Sequence, residues 1–158
     1  MRFDWRELST ASKLLIAASV LLLIDLFLNW QEACVSFGGT ETCGGESGWS
    51  GVGFLVGILT LALLAWEVLR ALGMTAQWNL PVAANLVSAA LAGGVLLFTI
   101  IKFLSDGEFR NWPAWLGLLL AIAIGVGGWL RYRDADEATA TRTTTEPPAA
   151  PPPAAPTA

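Results

Sequence analysis

Four stretches of this chain, residues 14–30, 52–69, 81–103 and 112–130, run without an interruption that hydrocarbon would refuse. Each is close to the roughly 20 residues a helix needs to cross ~30 Å of bilayer core. None carries the polar stripe at helical spacing that a helix on a soluble core would show. The alternating segments of about ten residues that a membrane β-barrel requires are missing too. In hydrocarbon, backbone amides must find partners within the protein, so such runs fold as helices. The expected fold class is an all-α integral membrane protein, with four transmembrane helices in an up-down-up-down bundle. Composition agrees: 54% of residues are apolar and 14% charged, where soluble domains carry about a quarter charged.

The first run has a basic lead of Arg2, Arg6 and Lys13, as a signal peptide would. No small-x-small cleavage site follows promptly, because Asn29, Trp30, Gln31 and Glu32 occupy the place. The residues before Cys34 also make a poor lipobox. The run is therefore expected to be retained as helix one. Residues 1–13, with Phe3, Trp5 and Leu8 among the bases, read either as a short interfacial segment or as a plain charged anchor.

Sidedness follows from lysine and arginine, which concentrate on the cytoplasmic side. With the N-terminus inside, the inner segments hold Arg2, Arg6, Lys13, Arg70, Arg131, Arg133 and Arg142, and the outer ones only Lys102 and Arg110. Residues 31–50 carry Glu32, Glu41 and Glu46 and no base. Both termini are expected in the cytoplasm and the protein in the plasma membrane. Tryptophan prefers the membrane–water boundary. This topology puts Trp30, Trp49, Trp112 and Trp115 at the outer boundary, and Trp5, Trp66, Trp78 and Trp129 at the inner one. Pro81 and Pro113 stand where helices three and four would begin, a position at which a missing N–H costs nothing. Residues 134–158 hold six of the eight prolines and no apolar side chain larger than alanine. Such a segment cannot bury enough surface to offset its ordering entropy, and it reads as a disordered cytoplasmic tail.

Several chemistries are excluded. The chain has no histidine, which removes Ser-His-Asp and Cys-His catalysis, the HExxH zinc site and imidazole relays. Glycine-rich phosphate loops are absent, and so is any basic patch suited to nucleic acid. No catalytic residue, cofactor or metal is expected. Cys34 and Cys43, the only thiols, share the outer loop with Gly38 and Gly39 between them. In an oxidising compartment they pair as a disulfide, worth about 2–3 kcal/mol for a loop of roughly ten residues. Free thiols or a redox-active pair are the alternatives, and a metal site would need more ligands than the loop offers.

Charges inside the spans are few. Glu67 stands three residues before Arg70, an easy helical ion pair that Asn85 could join. Asp25 lies among Leu23, Ile24, Leu26 and Phe27, five residues short of Trp30. A carboxylate there is costly, and such residues are functional candidates by default. Lys102, near the outer end of helix three, is the expected partner of Asp25, provided helices one and three face each other diagonally across the bundle. Gly53, Gly57, Gly93, Gly94, Gly117 and Gly125 mark close helix approaches, either within the bundle or toward a partner.

The segments LFLNW (26–30), SGWSG (47–51) and GGWLRYRD (127–134) resemble short, uncharacterised four-helix membrane proteins of actinobacteria. The resemblance covers residues 1–133; it implies the fold and brings no activity with it. The spacing Trp30-x3-Cys34-x8-Cys43 also resembles the first-loop signature of claudins. The Gly-Leu-Trp element is missing, however, and the loop is too short for a claudin sheet, so no barrier function transfers. The expected function is a non-enzymatic polytopic subunit or scaffold. It would associate with the bilayer, with other copies or with a larger membrane complex. The alternative is an oligomeric transporter or channel using Asp25. Four-helix drug–proton exchangers are superficially similar, but they place their acid nearer mid-helix.

Overall fold

The computed structural model describes residues 8–77, 82–107 and 110–145. It is mostly helical, with four helices and one two-stranded sheet. The order is α1 (Thr10–Asp25), β1 (Asn29–Phe37), β2 (Thr40–Ser47), α2 (Gly53–Ala71), α3 (Ala84–Ser105) and α4 (Trp112–Thr145), with a 3-10 turn at Met74–Gln77. α1 packs on α2 and α4, and α3 packs on α2 and α4, so the helices form a ring with α1 and α3 diagonal.

Length and composition make three helices fit to cross a membrane: α2, α3 and the segment Trp112–Asp134 of α4. α1 has 16 residues. The burial pattern differs from that of a soluble protein in its buried charges and its apolar surface. Ser12, Asp25, Glu67, Lys102 and Arg131 are buried, whereas Leu21, Ile24, Phe54, Leu61, Leu97 and Leu119 are exposed. A surface of this kind is stable against hydrocarbon and would aggregate in water.

The boundaries of three helices differ from expectation. Helix one begins at Thr10, where extended Ser9 accepts the Ser12 N–H, and ends at Asp25 instead of residue 30. The loop expected after it is an antiparallel hairpin, so the fold is not all-α. Gly38 and Gly39 both have positive φ, 60° and 86°, the geometry of a type I′ turn that matches strand twist. α3 begins at Ala84; Pro81 and Trp78 lie outside the described residues. α4 continues to Thr145, beyond the boundary set at 133. The expected tail is thereby shortened, and 146–158 lie outside the described residues, as do 1–7 of the expected interfacial segment.

The packing glycines divide. A methyl group at Gly117 would come within 2.3 Å of the Trp30 ring, one at Gly57 within 2.1 Å of Trp49, and one at Gly125 within 2.7 Å of Leu96. Gly53 lies against the Gly48 carbonyl. Gly93, by contrast, faces open space, and Gly94 would only touch Leu59 at 3.5 Å. Two glycines not singled out from sequence, Gly127 and Gly128, abut Leu15 and Ala92. Gly117→Ala should therefore lower the thermal midpoint of the solubilised protein, by the equivalent of about 1–3 kcal/mol of overpacking. Gly93→Ala should leave it unchanged or raise it, since alanine is the better helix former. Equal effects of the two would contradict this packing.

Candidate functional site

The polar groups with most at stake gather near the C-terminal end of α2. The Glu67 carboxylate is fully buried, and every other helix reaches it. Ser88 of α3 donates to Oε1 at 2.5 Å. Ser12 of α1 donates to Oε2 at 3.3 Å, and Arg131 of α4 pairs with the same oxygen at 3.1 Å. Arg131 also donates to the Ser12 hydroxyl. The ion pair expected between Glu67 and Arg70 is thus replaced by one with Arg131. Arg70 turns to α3 instead, donating to Asn85 Oδ1 at 2.6 Å and to the Ser88 hydroxyl at 3.2 Å. Trp66 Nε1 donates to Ser88 at 3.1 Å. Asn85 thus joins the cluster as Arg70's acceptor. Sequence spacing favoured Arg70 because it lies one turn from Glu67. Packing favours Arg131 because α4 runs parallel to α2 and brings it to the same end of the bundle.

At the opposite end, Asp25 and Lys102 go separate ways, and the expected pair between them is overturned. Asp25, 2% exposed, accepts the indole N–H of Trp30 at 3.1 Å, and that N–H also reaches the Asp25 carbonyl at 3.2 Å. Carboxylate and ring together fill the space left by Gly117 on α4. Lys102 on α3 pairs with Asp106, one turn on, at 2.8 Å and reaches the Ser50 hydroxyl at 3.1 Å. α1 and α3 are diagonal, as the pairing assumed, but Asp25 turns to Gly117 of α4 and Lys102 is held by Asp106 and Ser50. Trp30 is fully buried and Trp49 packs on Gly57. Trp49 remains half-buried there.

The hairpin projects beyond these contacts. Cys34 stands directly opposite Cys43 and the two form a disulfide. Gly-Gly between two short runs was the signal for this hairpin, obscured because β1 alternates weakly and β2 carries almost no apolar residue. At its base, the Asn111 N–H donates to the Trp30 carbonyl at 2.8 Å, Gln31 bridges to Arg110, and Asn111 donates to Glu32 at 3.2 Å. Arg110 also lies 4.2 Å from the centre of the Phe103 ring, a cation–π contact that holds this loop. Glu32 lies within 4.8 Å of both cysteine sulfurs, but sulfurs joined in a disulfide are not thiolates and do not ligate metal.

No protein-family model matches the chain, and it matches no curated protein and no solved structure.

Sequence reasoning missed Ser12, Ser88 and Arg131, whose roles arise only when distant helices meet. Removing one member of a buried pair strands the other charge, at a cost of about 3–5 kcal/mol. Glu67→Ala should accordingly lower the thermal midpoint strongly, and Arg131→Met on that background should restore part of the loss. Asp25→Asn and Lys102→Met should be additive in the same assay. Coupling between the second pair, or none between the first, would contradict this arrangement.

Proposed function

We propose that the protein is a non-enzymatic membrane subunit or scaffold, a four-pass bundle that holds a rigid hairpin outside the cell. The observation that carries this reading is the Glu67 cluster. Its charges are spent on one another and tie all four helices together, which suits a frame better than a moving gate. α1 spans ~24 Å at 1.5 Å per residue, and the turn through Leu28 lengthens it. A bilayer tolerates such a shortfall by thinning, so a fourth crossing is compatible with the length of α1.

The sidedness proposed is both termini in the cytoplasm of a cell with an oxidising exterior. Arg70, Arg131 and Arg133 lie at the end away from the hairpin, and the hairpin carries acids and a disulfide, which persist outside reducing compartments. Reporter fusions at residues 45 and 150 should report opposite compartments. Cys34 and Cys43 should resist a membrane-impermeant alkylating reagent until reductant is added. The same compartment at both positions would refute the four-pass topology.

One observation favours the alternative: Oδ1 of Asp25 is buried without a partner among the described residues. An oligomeric transporter would use such an oxygen. Purification from native membrane separates the two readings. A heterologous membrane partner at constant stoichiometry supports the subunit. A homo-oligomer whose solute flux is lost in Asp25→Asn supports the transporter.

A further inference from the structure

The hairpin has two unlike faces. Strand register puts Cys34 opposite Cys43, with Glu32 and Glu41 on the same side. The other side carries Ala33, Val35 and Phe37, of which Val35 is 67% and Phe37 86% exposed. Near the base of that side lies an open hollow of about 340 Å³, lined by Gln31, Ala33, Gly44, Gly45 and Glu46. The hollow exists because Gly44 stands opposite Ala33 and has no side chain to fill it. Its wall includes the Glu46 carboxylate, which takes part in neither ion pair of the described residues.

The two outer edges of the sheet differ in how far they are open. β1 is met on its outer side only at its base, by the Gln31–Arg110 bridge and the Asn111 N–H. β2 has no strand beyond it among the described residues, and it contains no proline or lysine to discourage pairing. From these observations we infer that the hairpin is a receptor for an extended basic segment of another protein. The segment adds as a strand along β2 and sets one lysine or arginine side chain in the hollow. The stem of that side chain lies over Ala33, Gly44 and Gly45, and its charged head meets Glu46. Backbone pairing supplies affinity, and the hollow and the acid supply specificity.

Charge selects this occupant. Glu32, Glu41 and Glu46 stand in a loop without a base, which attracts a cationic strand and repels anionic headgroups. Two copies pairing antiparallel along the full length of β2 would set Glu41 of each against Glu46 of the other, and like charges directly opposite are destabilising. The inference rests on the scaffold reading above only in placing the hairpin outside the membrane.

The test uses the full chain in phosphatidylcholine nanodiscs and a fluorescent nine-residue peptide of alternating lysine and valine. Saturable binding is expected, weakened by added salt. Glu46→Gln should weaken it about two- to fivefold, the worth of one exposed ion pair. Gly44→Val is the sharper variant, since an added Cβ meets nothing within 4 Å. The fold should tolerate it, as an unchanged thermal midpoint and an intact disulfide would show, while the filled hollow abolishes binding. A lysine–valine peptide N-methylated at alternate residues should fail to bind. The inference is overturned if a glutamate–valine peptide binds equally, if Gly44→Val binds normally, or if empty nanodiscs give the same signal. It is also overturned if Gly44→Val instead dissolves a homodimer, which would make the occupant a second copy. A native partner retained by Gly44→Val would refute this docking site and leave the subunit reading standing. Peptide binding by a chain recovered only as a homo-oligomer would do the reverse.

Discussion

A carboxylate buried among apolar helices must be compensated locally, and Glu67 is compensated by all of its neighbours at once. Its two oxygens take hydrogen bonds or charge from α1, α3 and α4, while α2 supplies the residue itself. In an apolar surrounding there is little hydrophobic force to press helices together. Close packing and polar contacts must do that, and polar contacts alone fix depth. A slide of α4 by one turn would carry Arg131 about 5 Å from Glu67 and strand both charges. The cluster therefore sets the register of the whole ring, and the glycines set only how closely its members approach.

A second anchor works at the other end by a different route. Asp25 holds the Trp30 indole, and the ring wedges against Gly117 where α1 meets α4. Trp30 is also the second residue of β1, so the contact that ends α1 is the contact that starts the hairpin. Its carbonyl then accepts from Asn111, which lies just before α4. Lys102 and Asp106 secure the facing corner through Ser50, close to the start of α2. Between the two anchors, small and apolar side chains face one another: Val56, Ala92, Val95, Ala121 and Ile124.

The parts legible in the sequence were those that depend on composition along one segment. The apolar runs at 52–69, 81–103 and 112–130 each contain most of a long helix, because hydrocarbon leaves the backbone no other choice. Cys34 and Cys43 stood in one short loop and meet across it. What could not be read was which distant side chains share a depth and a face. Arg131 looked like a boundary charge and Lys102 a partner for Asp25, since sequence shows depth but not which neighbour a side chain turns to. The hairpin was a different failure. Its Gly-Gly turn was visible, but β2, TETCGGES, has almost no apolar face to mark a strand. Pairing with β1 and the cystine link supply what its composition lacks.

An isolated two-stranded ribbon is marginal in water, so this one needs external support, and the support is distributed unevenly. The base is tied to the helices through Trp30, Gln31 and Glu32, all on β1. β2 is held mainly by β1 and by the cystine, which lies midway along the ladder. The strand whose outer edge is open along its whole length is thus also the one whose order depends most on the disulfide. Reduction would leave the helices and the Asp25–Trp30 anchor in place, because neither includes a cysteine. It would loosen β2, and with it the hollow above Gly44, before anything else. Binding at that edge should therefore be the property of this protein most sensitive to redox state, even though neither sulfur needs to touch the ligand.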